Sequence, residues 1–347
     1  MNALCKLLGI ELPIVQAPMA GAQGSRLALA VSNAGGLGSL PCALLSLDAM
    51  RAELQRLRAG TTHPFNVNFF CHSPPAFDVK REDAWRAILA PYYRELGLEM
   101  DTLSPGAGRA SFTAEVADML GEFKPPVVSF HFGLPAPELL ARARTWGAKI
   151  LSTATTVEEA RWLEDRGADA IIAQGIEAGG HRGHFLNHDL AQQAGTSELI
   201  PRVAAAVKIP VIAAGGISEA RAVADAMALG AAGVQAGTAY LLCPEADTSA
   251  VHRAALKSAA VRQTALTNLF TGRPARGIIN RMMRELGMIN AAAPDFPLAG
   301  AAVAPLRARA ESLGSEDFSP LWAGTNAAAC REFPAAELTR ALAVGIS

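Results

Sequence analysis

The sequence is poor in every feature that marks a protein for a special environment. It has no surplus of charge: 31 lysines and arginines face 32 aspartates and glutamates, for a formal net charge of −1. Chains that hold nucleic acid or cling to anionic membranes carry a basic excess, and none is present. Cysteine is scarce and scattered. The five, Cys5, Cys42, Cys71, Cys243 and Cys330, form no C-x-x-C pair and read as free thiols in a reducing compartment. Aromatic residues make up 6% of the chain, and the only tyrosines are Tyr92, Tyr93 and Tyr240. No apolar run approaches the roughly 20 residues that a membrane-spanning helix requires. The opening MNALCKLLGIELP sets Lys6 and Glu11 around a very short apolar run, unlike a secretory leader. These absences predict a cytoplasmic protein with a small-molecule substrate and no nucleic-acid or membrane partner, working as a monomer or homodimer.

What is present suits a globular enzyme. Half of the 347 residues are hydrophobic and 18% are charged, and the length allows one large domain with a smaller one. Short apolar segments alternate with helical periodicity. Strands are predicted at 13–18, 37–40, 65–69, 127–131, 148–153, 169–173, 210–214 and 232–235. Amphipathic helices separate them, as over 47–58, where Met50, Leu54 and Leu57 share a face. Repeated β-α units imply parallel strands with right-handed crossovers. Eight such units, with glycine-rich ends after several strands, favour an α/β fold of the closed (β/α)8 TIM-barrel type over an open doubly wound sheet.

Residues 71–126 interrupt the rhythm with Pro74-Pro75, a helix over 85–96 and the piece Pro105-Gly106-Ala107-Gly108. Insertions at strand ends are where such folds carry lids. Ser218 is the predicted cap of the helix that runs to about residue 229. Beyond Ala239 the pattern predicts no strands, only helices over 251–257, 280–286, 301–310 and 334–344. The expected organisation is therefore a barrel over 1–240 carrying the insert 71–126. A smaller, mostly helical domain over 241–320 covers the substrate, and the segment 321–347 packs back on the barrel.

One stretch concentrates the chemistry: Gln174-Gly175-Ile176-Glu177-Ala178-Gly179-Gly180-His181-Arg182-Gly183, directly after an apolar run. Its glycines allow close backbone approach to a ligand or a positive φ. Histidine is the side chain best able to act near neutral pH, which makes His181 the candidate catalytic group. Arg182 can meet an anion or face solvent, and Glu177 can position a neighbour. His131 closes the fourth strand. The loops Ala214-Gly215-Gly216-Ile217 and Gln235-Ala236-Gly237-Thr238 follow strands seven and eight, the usual phosphate site of a barrel. They predict a cradle for a mononucleotide cofactor. Gln16, Asn68 and Gln174 place amides at three strand ends, which suits a heteroaromatic ring such as flavin. His181, His184 and His188 form only a loose series without carboxylate or cysteine support, so no metal is expected. His63, His72 and His252 read as solvated. Cys71 lies near the mouth with nothing to activate it.

The motifs PIVQAPMAG, SNAGGLGS, PFNVNFF, VSFHFG, QGIEAGGHRG, PVIAAGGI, VQAGTAYLLCPE and TGRPARG occur in this order. Together they resemble the nitronate monooxygenases, formerly called 2-nitropropane dioxygenases, from about residue 7 to the end. The resemblance implies an FMN-binding barrel with a substrate-covering domain. It implies oxidation of alkyl nitronates, or of neutral nitroalkanes, by O2 through a flavin semiquinone, giving a carbonyl product and nitrite. It places Ala17, Pro18 and Met19 against the ring, Asn68 and Gln174 on its edge, and Gly179, Gly216, Gln235, Ala236, Gly237 and Thr238 at the ribityl phosphate. His181 becomes the active-site histidine, with His131 and Phe296 in the substrate pocket. The same scaffold also admits an NAD(P)H-dependent quinone or enoyl-thioester reductase, or a non-catalytic flavin-binding module. Two places depart from the family pattern. Segment 294–305 has Phe296 for one tyrosine and lacks a second tyrosine and a lysine; Thr325 stands where relatives commonly have glutamine.

Overall fold

The computed structural model describes residues 2–100 and 110–346. The predicted piece 105–108 lies outside them. The chain enters through α1 (Ala3–Leu8), which the Asn2 side chain caps by accepting from Leu4 and Cys5 N–H and which Gly9 ends at φ 69°. There follow β1 (Ile14–Gln16), α2 (Ser25–Ser32), β2 (Gly38–Pro41), α3 (Leu47–Gly60) and β3 (Phe65–Phe70). Next come α4 (Val79–Glu95), α5 (Ala114–Phe123), β4 (Val127–His131), α6 (Pro137–Arg144), β5 (Lys149–Ala154), α7 (Val157–Asp165) and β6 (Ala170–Gln174). After the two-residue β7 (Gly180–His181) the alternation resumes with α8 (Thr196–Ala206), β8 (Val211–Ala214), α9 (Ala220–Ala228) and β9 (Gly233–Ala236). The remainder holds α10 (Ala250–Lys257), β10 (Thr264–Thr267), β11 (Ala275–Ile278), α11 (Arg281–Leu286), α12 (Ala299–Ser312) and α13 (Ala335–Leu342).

Eight parallel strands run in the order β1-β9-β8-β6-β5-β4-β3-β2. The ring closes where Gln16 N–H donates to the Leu37 carbonyl at 2.9 Å and Leu37 N–H donates to that of Ile14 at 2.8 Å. This is a (β/α)8 barrel. Helix α13 fills the last position of the outer ring, between α2 and α9. Its Ala335, Leu338 and Leu342 share a core with Ile14, Val31 and Val234.

Strand side chains alternate between the inside and the helix layer. At the N-terminal end the inward positions are apolar: Val127, Leu151, Ala170 and Ile212 meet Leu4 and Leu8 of α1. Helix α1 thus plugs the bottom, so closely that a Cβ on Gly233 would lie 2.4 Å from Leu4 Cδ2. Farther along the strands the inward set turns polar, with Ser129 above Val127, Thr153 above Leu151 and Gln174 above Ile172. Asn66 and Asn68 both donate to the Ser129 hydroxyl, at 2.8 and 2.9 Å. The interior is oily below and hydrogen-bonding above, and the open end is the polar one.

Several elements differ from expectation. Helix α1 is too short to announce itself by periodicity. Helix α5, capped by Thr113, is the crossover between β3 and β4 inside the stretch read as an insert. Helix α4 begins earlier than predicted, and its Trp85, Leu89, Tyr92 and Tyr93 share one core with Leu269, Phe270, Met282, Val303 and Phe318. Strands do occur beyond Ala239: β10 and β11 form an antiparallel hairpin, and β7 joins its edge. β10 and β11 are four residues each, of mixed polarity, and too short to stand out from loop. Ser218 does not cap α9. The helix starts after Glu219 without a side-chain cap, and the Ser218 hydroxyl donates to the Asn326 carbonyl at 3.3 Å. No helix among the described residues is long and apolar enough to cross a membrane.

Leu4 is fully buried under the barrel. Leu4→Ala is expected to cost about 3 kcal/mol, the usual loss for a buried leucine whose site cannot collapse. Chemical denaturation checks this, and an unchanged midpoint would show that α1 does not seal the barrel.

Candidate functional site

A cavity of about 250 Å³ opens at the C-terminal ends of the strands. Ala17, Pro18 and Met19 form one wall, and Asn68, His131 and Gln174 rise from the barrel interior. Gly179, His181, Gly216, Gln235, Gly237 and Thr238 also face it. Ala236 does not: one residue on from Gln235, it packs in the helix layer beside Ala239 and Tyr240. The same parity removes Gln16. Its side chain lies outside the barrel, donating to Gln23 Oε1 at 2.6 Å and accepting Ser39 N–H at 3.0 Å. It orders the entry to α2 and touches no ligand space.

The loops after β8 and β9 form one end of the cavity. Gly215 and Gly216 adopt φ 124° and 72°, values that a side chain would strain. A Cβ on Gly237 would press on that of Ala17 at 3.3 Å. Gly215 to Ser218 line the cavity and lead into α9, which begins at Ala220 without a side-chain cap; an uncapped helix start leaves N–H groups that favour an anion. The segment 324–326 backs the loops: Gly324 N–H donates to Thr238 Oγ1 at 3.0 Å and Asn326 Nδ2 to the Gly216 carbonyl at 3.3 Å. Thr325 is exposed and does not line the cavity, and its N–H donates to the Glu177 carbonyl. Gln235 Oε1 is buried in the wall with no hydrogen-bond partner among the described residues. A buried acceptor of that kind calls for a donor on a bound group.

The glycine-rich loop is packed by protein on most sides. A Cβ on Gly175 would strike Thr196 at 2.0 Å, one on Gly179 would strike Gly324 N at 2.6 Å, and one on Gly183 would strike Thr153 at 2.5 Å. Those glycines admit neighbouring chain, whereas Gly180 supplies a positive φ of 71°. Glu177 accepts from Thr196 N–H and hydroxyl at 2.8 and 2.7 Å and so anchors the start of α8. Arg182 neither faces solvent nor meets the cavity. It is fully buried, donating to the Gly175 and Gln174 carbonyls at 2.6 and 2.8 Å and to Gln193 Oε1 at 2.6 Å. Burial, with Arg276 nearby, pushes its pKa down to about 9 against the pull of Glu177 and Glu159. Gln174 completes the clasp, donating to the His181 carbonyl at 3.0 Å and accepting Gly183 N–H at 2.8 Å.

His181 sits where β7 pairs with β11. Its Nε2 is 2.9 Å from Thr271 Oγ1. Phe296 and Trp322 approach its ring at 5.3 and 5.5 Å between centroids, and Phe70 and Phe132 stand at 6.2 Å. Phe296 is thus a wall of the histidine rather than of the main cavity. His131 is saturated: its Nε2 donates to the His181 carbonyl at 3.2 Å, and its Nδ1 accepts from Thr153 Oγ1 at 3.0 Å. Burial, aided by the Arg273 charge, pushes its pKa down to about 3. His252 is buried rather than solvated, lines the cavity beside Arg307, and is pushed down to about 4 by burial and then by that guanidinium. Burial also raises the Cys71 thiol, which leaves it inert. Among the described residues no group of three His, Cys, Asp or Glu could hold a metal. Thr271, Trp322, Thr153 and Arg307 escaped sequence reasoning; the Gly-Arg-Pro turn after Thr271 was the one local signal.

Fold and site define a ligand-binding barrel enzyme with its cavity at the C-terminal strand ends. Comparison with known proteins narrows this. A family model described as nitronate monooxygenase matches residues 1–345. Nitronate monooxygenase of Pseudomonas aeruginosa is 44% identical over 340 residues, covering 97% of each chain. That of Paraburkholderia phytofirmans is 42% identical over 349 residues, 98% of this chain and 94% of the relative. The solved nitroalkane oxidase of Streptomyces ansochromogenes superposes with a TM-score of 0.90 at 41% identity, over 99% of this chain and 97% of that one. The chain belongs to the nitronate monooxygenase family and is an oxidoreductase.

The buried histidines make stability depend on acid. Unfolded, each imidazole takes a proton near its ordinary pKa; folded, His131 and His184 do so only near pH 3 and His252 near pH 4. Below the ordinary histidine pKa the unfolded chain therefore binds more protons, and each such histidine removes up to about 1.4 kcal/mol of stability per pH unit. Thermal stability is expected to fall steadily as pH drops from about 6.5 to about 4. His184→Leu, which removes a buried Nδ1 that has no partner among the described residues, should flatten that fall. An unaltered slope would show that His184 is not held neutral.

Proposed function

We propose that the protein is an FMN-dependent oxidase of alkyl nitronates, and of neutral nitroalkanes, with O2 as acceptor and a carbonyl compound and nitrite as products. The observation that carries this reading is the two-ended cavity: a glycine cradle at an uncapped helix start on one side and His181 among aromatic rings on the other. The relatives' names supply the nitro chemistry. FMN suits the donor set. Gly216, Gly237, Thr238 and the first N–H groups of α9 would take its phosphate. Asn68, Gln174 and the unpartnered Gln235 Oε1 would meet the polar edge of its ring, with Ala17, Pro18 and Met19 against the face. When bound, FMN supplies the electron acceptor that carries electrons from substrate to O2.

The chain's own groups do the rest. A nitronate is already an anion and needs no base; protonated His181 complements its charge. A neutral nitroalkane must lose its α-proton, and neutral His181 takes it. Phe296, Phe70, Phe132 and Trp322 keep water from the histidine and strengthen its electrostatic hold. His131 stays neutral and steadies the His181 backbone. Segment 241–320 brings Arg307 and His252 to the cavity and Thr271 to His181.

The purified protein is expected to be yellow, with a flavin spectrum that acid extraction assigns to FMN. His181→Ala should retain the flavin and lose about a hundredfold or more of nitroalkane turnover, the usual share of a positioned base. Undiminished turnover removes His181 from the mechanism. Rapid anaerobic bleaching by NADH, with no oxidation of nitronate, would favour a reductase.

A further inference from the structure

The contact between His181 and Thr271 can distinguish the two ring nitrogens, because the hydroxyl has a second acceptor for its one proton. Thr271 Oγ1 lies 2.9 Å from His181 Nε2 and is placed to donate to the Arg273 carbonyl at 3.4 Å. A hydroxyl has one proton to give and lone pairs to receive. With its proton on the Arg273 carbonyl, Oγ1 accepts Nε2–H. Thr271 is 2% exposed, so water does not compete for it. Both partners belong to one small sheet. Thr271 lies on the turn between β10 and β11, and β11 pairs with β7 through Ala275 and His181. The His181 carbonyl is gripped from the barrel side by Gln174 Nε2 at 3.0 Å and His131 Nε2 at 3.2 Å. The backbone is held by the barrel and the ring by the hairpin.

We infer that Thr271 is a positioning residue that keeps His181 in its Nε2–H tautomer and so makes Nδ1 the proton acceptor for neutral nitroalkanes. This rests on the nitroalkane-oxidising reading given above. In the step concerned, the substrate α-C–H bond breaks, its proton passes to Nδ1, and its electron pair stays on the substrate as the nitronate; nothing is oxidised. Neutral imidazole and imidazolium both carry Nε2–H. The proton can therefore arrive at Nδ1 while the Thr271 bond stays as it is. The arrangement shares a task with the acid of a hydrolase triad, fixing tautomer and orientation. Being uncharged, Thr271 does so without the strong stabilisation of imidazolium that a carboxylate brings. Preformed nitronates need no proton transfer, so Thr271 matters to them far less.

The test compares Thr271→Val and Thr271→Ser on nitroethane and on ethyl nitronate, with flavin content measured alongside. Thr271→Val is expected to lose about tenfold or more in kcat/KM on nitroethane and less than about threefold on the nitronate. Thr271→Ser should restore nitroethane turnover to within about threefold of the parent. Equal losses on both substrates, or a serine variant as impaired as the valine one, would overturn the proposal. Nitrogen-15 NMR of the imidazole, assigned by its loss in His181→Gln, needs no turnover. It should show a protonated Nε2 and an unprotonated Nδ1 in the parent above the histidine pKa, with that preference lost in Thr271→Val. The opposite tautomer in the parent would also overturn it. Absence of turnover with either substrate would sink the functional reading while the NMR result still decided the role of Thr271.

Discussion

The antiparallel pairing of Gly180-His181 with Ala275-Arg276 is the contact on which the site depends. It ties a loop from the sixth barrel strand to a hairpin that enters the chain almost a hundred residues later. Without it the barrel would still close, because every barrel strand has its neighbours. The histidine, however, would lose the strand pairing that sets it beside the Thr271 hydroxyl. Arg276 reinforces the junction by donating to the Ile176 carbonyl at 2.9 Å, and Arg273 by lying 4.0 Å over the Phe132 ring. Phe132 itself is held at φ 71°, a rare conformation for a bulky residue and one that persists only where its surroundings impose it. Backbone strain, ring stacking and strand pairing meet within one small region.

Behind that junction the loop is held by buried charge. Arg182 satisfies two carbonyls and an amide that would otherwise be stranded away from water. Such a guanidinium adds little net stability over an apolar core of equal shape, yet removing it alone leaves its partners unpaired at a cost of several kcal/mol. What it secures is conformation. Glu159 acts in the same way on the neighbouring segments, accepting from the N–H groups of Thr155 and Phe185 at 2.7 and 2.6 Å. The loop that carries His181 is held because its polar backbone is answered by side chains, some of them, such as Arg182 and Glu177, facing away from the cavity.

Most of the barrel was legible because its signal is repeated: eight apolar strands, amphipathic helices between them and glycines at their C-terminal ends. His181 was legible because an imidazole among glycines has few structural uses. Residues whose role depends on parity or on distant partners were harder to read. Gln16 and Gln174 are the same residue type at the ends of two strands, and only the facing direction separates them. Arg182 was open between an anion contact and a solvent-facing residue because the carbonyls it serves are invisible as sequence. His252 looked solvated, since nothing local announces that α10 turns it toward Arg307. Thr271 and Trp322 lie in segments without periodic pattern, and they gain meaning only once the hairpin lies beside β7.

Helix α4 has a consequence for how the molecule is made. Its apolar face, with Trp85 and Leu89 fully buried, is completed by residues from the hairpin and from α11 and α12. Trp85 Nε1 donates to the Ala299 carbonyl at 3.3 Å and the Tyr93 hydroxyl to that of Ala302 at 2.7 Å. During synthesis that face emerges long before its partners and has nothing to bury itself against. Barrel strands β4, β5, β6, β8 and β9 all emerge in the interval. The layer built from α4, the hairpin, α11 and α12 is therefore among the last regions of the chain to consolidate, and the nascent protein carries an oily helix that a chaperone or a neighbouring chain can find first.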